Sequence, residues 1–358
     1  METKELEKQN GNDVQEEPQS QENSEKTALD GVTPKKTKKY IQVLPYVLVL
    51  VPSVVLGVFG GLEIKKFFGP TPEVDYSSID AKDLYPNYAK VEERYKKAAA
   101  SGADFAHTLT PVEMAESAFC LIQKEKHVYS QGIGLATAVA GVNQEIRSTT
   151  IQNENLFFEE SISHSNFVDI ADRMYQIPKG DDYSVTMYLG NTKNGNVNEG
   201  EYDEKGTEYT GEEYIAHMGR LLSTPTSYIV SEKTVITEET KTGNMYGVTS
   251  AKKNDDGTYL VDIELDPLLG VSAYVVQMQT ISSLLSKPSF VYCHLTFELD
   301  KNLNLLAVTS YESYTAAVMQ MGLRVKSAVT GKMRVTYERG GSWEIPELST
   351  PCHYRSEM

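Results

Sequence analysis

Along the chain, hydrophobic and polar positions alternate in four distinct ways. Residues 1–39 have almost no large apolar side chains and are rich in Glu, Gln, Asn, Lys and Ser. Such a segment buries too little surface to offset its chain entropy, so it reads as a disordered tail. Tyr40 to Leu62 then carries no charge over 23 positions. At about 1.5 Å per helical residue this is roughly 34 Å, enough to cross a hydrocarbon layer. Pro45 and Pro52 fall on one face of that helix, and Ser53, Gly57 and Gly61 recur at the four-residue spacing that lets helix backbones approach. Residues 63–76 form a linker broken by Gly69, Pro70 and Pro72.

From residue 77 to 345 the period is that of a folded domain, followed by a tail over 346–358. Apolar positions three and four apart predict helices over Pro86–Ala100 and from Pro111 onward. The second has the stronger start, with Thr110 as N-cap, Pro111 at the first helical position and Glu113 completing a capping box. Its polar side is expected to hold Cys120, Glu113, Glu116 and Lys124. From Ser130 the period becomes two, with a bulge expected at Gly141. Further strands are expected over 155–162, 173–177, 183–189 and 246–251, and a hairpin partner over 259–265. A capped helix is predicted from Thr210, and another from Asp266 to Pro288. In 290–300, Val291, Cys293, Leu295, Phe297 and Leu299 share a face. In the last strand Val325, Val329, Met333, Val335 and Tyr337 oppose Arg324, Lys326, Lys332, Arg334 and Glu338.

Long alternating strands interrupted by glycines tend to form one curved sheet, with inserted helices filling its hollow. The element order over about 130–340, with strands such as Phe290–Asp300 and Arg324–Arg339, resembles the half-barrel of bacterial extracytoplasmic lipid carriers of the lipoprotein-localisation-factor type. The fold class expected is therefore α+β: an N-terminal transmembrane helix, then a strongly curved, half-barrel-like antiparallel β-sheet with packed α-helices. The resemblance is one of fold and does not carry function.

Charge sets the orientation of the span. Lys35, Lys36, Lys38 and Lys39 precede it, and Lys65 and Lys66 follow. That asymmetry predicts a single-pass cell-membrane protein with a cytoplasmic N-terminus and an extracytoplasmic domain. The net charge is −16, and residues 1–40 supply little of it, with nine acids against seven lysines. An acidic domain argues against nucleic acid as a partner. Sixteen asparagines without one glycosylation acceptor, and only three cysteines, fit a bacterial cell envelope. Cys293 is expected as a reduced core residue, and any disulfide would join Cys120 to Cys352.

Candidate chemistry is sparse. The six histidines have no ligand spacing, and Asn194, Asn196 and Asn198 lack the glycine and glutamate of a calcium loop. No cofactor, metal or catalytic constellation is implied. The stripe Arg324, Lys326, Lys332 and Arg334 stands out instead. Cross-strand pairing with Glu298 and Glu312 would explain it structurally. Docking of an acidic partner or an anionic lipid headgroup would explain it functionally. The function expected is a membrane-anchored, non-catalytic interaction module, in contact with the lipid bilayer through Tyr40–Leu62 and with an envelope protein. The alternative is a carrier whose sheet holds an apolar or lipid ligand. The single tryptophan, Trp343, is expected over the sheet edge or mouth.

Overall fold

The computed structural model describes residues 76–346, except 198–206, 211–226 apart from Glu213, 237–248 and a few shorter stretches. All of them belong to one compact unit, Phe59–Met358. The helices are α1 (Ala81–Leu84), α2 (Tyr88–Ala99), α3 (Pro111–Gln123) and α4 (Ser272–Ile281). The strands run from β1 (Val128–Ala138) and β2 (Val142–Gln152) through β3 (Phe157–Ser165), β4 (Asp169–Lys179), β5 (Ser184–Lys193), β6 (Asn196–Val197) and β7 (Thr207–Tyr209). They continue as β8 (Ser250–Lys253), β9 (Tyr259–Leu265), β10 (Ser289–Leu299), β11 (Leu305–Gln320) and β12 (Leu323–Arg339).

These strands make a single antiparallel sheet in the order β6-β5-β4-β3-β2-β1-β12-β11-β10-β9-β8, with β7 on β5. Two meanders, one running outward from β1 and one inward to β12, meet where β1 pairs β12 from Val128↔Arg339 to Ala138↔Val329. The sheet is open and not strongly curled, which corrects the expected half-barrel. The reason lies in register. A curled sheet needs bulges to bend its long strands, but β1 runs unbroken against both β12 and β2. The glycine expected to make a bulge, Gly141, lies outside the described residues. Gly132 does not bend its strand. It makes room for neighbours, since a Cβ there would lie 2.5 Å from Met333 Cε.

The expected membrane span is corrected as well. Among the described residues no helix is long and apolar enough to cross a membrane. The longest, α3, has 13 residues, or about 20 Å. Tyr40, Pro45, Pro52, Gly57, Gly61 and Leu62, like the tail 1–39, lie outside the described residues. Single-pass membrane placement, with its cytoplasmic N-terminus, therefore has no support in the structure.

One face of the sheet is covered. Cys293, Leu295, Phe297 and Leu299 of β10, all with no exposed surface, pack beside Val261, Ile263 and Leu265 of β9 against Ala115, Phe119 and Ile122 of α3. Phe119 meets Phe297 edge to face at 5.3 Å. The Thr110 capping box forms as expected: Thr110 N–H donates to Glu113 Oε2 at 2.8 Å, and Glu113 N–H donates to Thr110 Oγ1 at 3.2 Å. The polar side expected for α3 is largely absent. Cys120 and Glu116 are buried because α2 packs there, with Arg94 Nη2 2.6 Å from Glu116 Oε2.

Val291 departs from its expected face and is 62% exposed. A register shift between Phe290 and Tyr292 ejects it and turns Phe290 inward. The helix expected from Asp266 begins only at Ser272. Asp266 instead caps a tight turn, accepting from Leu268 N–H at 2.8 Å and Leu269 N–H at 2.7 Å. The filled furrow over β1 makes a direct test of this packing. Gly132→Val should lower stability by about 1–3 kcal/mol, read as a lower urea midpoint, and an unchanged midpoint would contradict the packing described.

Candidate functional site: the open face of the sheet

Strand alternation puts Arg324, Lys326, Lys332 and Arg334 together on the face opposite the helices, beside Gln131, Ile133 and Leu135 of β1. Register makes Leu135 the neighbour of Lys332 on β12 and of Glu145 on β2, while Ile133 lies between Arg334 and Arg147. Ile133 is 42% exposed and Leu135 63% exposed. A half-buried strand normally turns such residues toward a core, so two adjacent aliphatics facing water at the sheet centre are notable.

Several contacts engage the basic stripe on this face. Arg334 makes a bidentate pair with Glu298, one arm at 2.8 Å, as cross-strand pairing predicts. Arg147 Nε lies 3.1 Å from Glu145 Oε1. Lys332 Nζ sits 5.2 Å from the centre of the Tyr311 ring, a cation–π arrangement. Glu312, the other acid expected to pair with the stripe, is on the covered face. The extra residue Leu306 breaks the β10–β11 register, so Glu298 pairs with Ala307 but Leu299 with Leu305. That single insertion moves every later β11 residue by one and brings Tyr311, not Glu312, to the open face.

Two built features flank the stripe. Toward β9, His294 is buried between two carboxylates, with Nδ1 3.1 Å from Glu264 Oε2 and Nε2 3.2 Å from Asp262 Oδ1. Thr296 Oγ1 donates to Asp262 Oδ1 at 2.7 Å. Burial pushes the imidazole down, but the hydrogen bonds and charges of Asp262 and Glu264 outweigh it and raise the pKa to about 9. The same contact holds the Asp262 carboxyl below its ordinary range. The sequence marks His294 only as alternating away from Cys293; its partners are 30 and 32 residues distant on β9.

Toward the other end, the chain leaves β12 and crosses the open face as a strap over 340–346. Trp343 stacks on Tyr129 at 5.6 Å, and with Ile345 it packs on Ile151, Phe158 and Tyr175. Tyr175 O–H donates to the Pro346 carbonyl. Trp343 thus covers the sheet's face rather than its edge.

Elsewhere, a cleft of about 80 Å³ between α2 and α3 is lined by Glu92, Tyr95, Lys96, Ser117, Cys120 and Lys124. Cys120 and Cys293 are buried and unbridged; Cys352 lies outside the described residues, as do Asn194 and Asn198 of the asparagine run. Among the described residues no group of three or more His, Cys, Asp or Glu is arranged to hold a metal ion.

The sequence matches no known protein family and no characterised protein. Among solved structures it is similar to the 12:0-ACP thioesterase from Umbellularia californica at 10% identity and a TM-score of 0.10, over 76% of this chain and 98% of that one. A similarity that low carries no argument about fold or activity.

Two outcomes test the flanking features. Because His294 titrates higher in the folded than in the unfolded chain, its contribution is complete below about pH 6.5 and is lost as pH rises through about 9. His294→Asn should remove that loss, worth up to about 3 kcal/mol, from denaturation curves taken across the window. Tyr129→Ala should shift Trp343 emission to the red by wetting the strap; unchanged emission would contradict the stack.

Proposed function

We propose that this domain is a non-catalytic interaction module whose open sheet face docks an acidic protein segment. The observation that carries the reading is the pair Ile133 and Leu135, exposed at the centre of the sheet and bracketed by Lys332, Arg334 and Arg147. An apolar centre with a charged rim is the usual composition of a protein-binding patch. The basic rim on a chain of net charge −16 selects for a partner of opposite sign. Arg324 and Lys326 extend the same sign along β12, a line that suits an extended segment with acidic side chains on either side of an apolar one.

A catalytic reading has little to draw on. Both ring nitrogens of His294 are engaged by carboxylates, so it offers no lone pair to act as a base. The carrier reading is not favoured either. The sheet lacks a deep hollow of its own curvature, and the α2–α3 cleft is well below the roughly 300 Å³ at which ligand pockets begin.

The test uses the full chain and a labelled peptide of alternating Glu and Leu, read by fluorescence anisotropy. Binding should weaken steeply with salt. Leu135→Asp, and separately Lys332→Glu with Arg324→Glu, should each weaken it about tenfold or more. No binding by the native chain, or binding indifferent to these changes, would overturn the proposal. Binding to phosphatidylglycerol vesicles in place of the peptide would assign the face to anionic headgroups instead.

A further inference from the structure

At the centre of the open face, Lys332 and Arg334 turn away from the exposed aliphatics that they flank. Arg334 starts from β12, where register makes it the direct neighbour of Ile133 on β1 and of Thr309 on β11. Its guanidinium nevertheless leans over β11 and forks onto Glu298 of β10, with Nη2 donating to Oε2 at 2.8 Å and Nη1 to Oε1. Strand β11 lies between the two residues, so the pair bridges about 10 Å of sheet. The β11 residues at that level are small: Thr309 stands beside Arg334, and Ala307 beside Glu298. Lys332 leans in the same sense, its Nζ 5.2 Å from the centre of the Tyr311 ring on β11.

Of the acids on β10 and β11, Glu312 faces the other side, where Tyr228 O–H donates to it at 2.8 Å and Tyr274 O–H at 3.5 Å. Glu298 is left to meet Arg334. The hydrogen bonds of Arg334 hold its carboxyl below the ordinary range, so the pair stays charged at neutral pH. Yet the Arg334 and Glu298 side chains are 45% and 37% exposed. An ion pair that wet is weakly held. The fork itself is the geometry with which arginine takes a carboxylate from any source.

We propose that Glu298 is a stand-in for the partner's carboxyl group. It holds Arg334 over β11 in the free chain, and an acidic segment docks by taking its place, which brings the guanidinium back beside Ile133. Glu298 has this role only if the open face docks an acidic segment at all; given that, the chain carries its own weak competitor for the arginine at the patch centre. A neutral apolar segment has nothing to put in place of Glu298, so Arg334 is released only to a ligand that brings an acid.

The full chain is titrated at 0.15 M salt with the labelled peptide of alternating Glu and Leu, as native protein and with Glu298→Ala or Glu338→Ala. Each substitution removes one negative charge from the open face, and by register each acid lies about 15 Å from Ile133. Of the two, Glu298 is the one on Arg334. Glu298→Ala should tighten binding about threefold to fivefold. Glu338→Ala should tighten it by no more than about 1.5-fold, because salt screens charges at that separation. In a chain already carrying Arg334→Gln the two substitutions should act alike. Equal effects in the native background, or no tightening with Glu298→Ala, would overturn the stand-in and leave the docking face in place. Absence of binding by both the native and the Glu298→Ala protein would remove the docking face, and the stand-in with it.

Discussion

The pairing of β1 with β12 is the constraint on which the rest of the structure depends. It joins residues some two hundred positions apart in register, Val128 with Arg339 and Ala138 with Val329. Without it the chain would be two separate meanders, each with a long unpaired edge. With it, those edges become the centre of one sheet, and both of its faces inherit their geometry from β12. Lys332 and Arg334 reach the open face beside Leu135 and Ile133, while Gly331, next to Lys332, leaves space for Glu312 on the covered face. Neighbouring residues of one strand thus serve opposite sides of the sheet, as the period of two requires.

Much of this was legible where a local rule applies. The alternation of 324–338 identifies the basic stripe and its apolar reverse, and Thr110-Pro111 with Glu113 marks the start of α3. The alternation of Cys293, Leu295, Phe297 and Leu299 marks the β10 core. The failures share a cause. Val291 and Glu312 were assigned to the wrong face because a single inserted residue inverts every side chain beyond it, and an insertion at Leu306 leaves no mark in a run such as LLAVTSYESY. Cys120 and Glu116 look like a solvated helix face until α2 arrives to cover them. The convergence of Tyr228 and Tyr274 on Glu312 joins three distant segments, so no window of sequence contains it. Curvature was inferred from glycines as potential bends, whereas Gly132 accommodates Met333 and Ser148 and its strand keeps its register.

The two faces also divide the electrostatics of the sheet. On the open face, charge is handled by pairing: Arg334 with Glu298, Arg147 with Glu145, His294 between Asp262 and Glu264. The two arginine pairs, near solvent, cost little to form or to exchange for a partner's charges, whereas His294 and Glu264 are buried. On the covered face the half-buried Glu312 is met by the hydroxyl groups of Tyr228 and Tyr274 instead.

The distance of some two hundred residues between β1 and β12 has a consequence for synthesis. Strands β1 to β6 and β8 to β11 can each zip as local hairpins while the chain emerges, but β1 must wait for its central neighbour until residues 323–339 are made. Such non-local closure is slow, and during the wait the edges of β1 and β11 lie open to pairing with other chains. The small side chains of β1, Gly132, Gly134, Ala136 and Ala138, bury little apolar surface on their own and would make that waiting edge a weak adhesive. A nascent chain truncated before β12 should therefore be the species that chaperones meet, and it is the arrival of β12 that joins the two meanders.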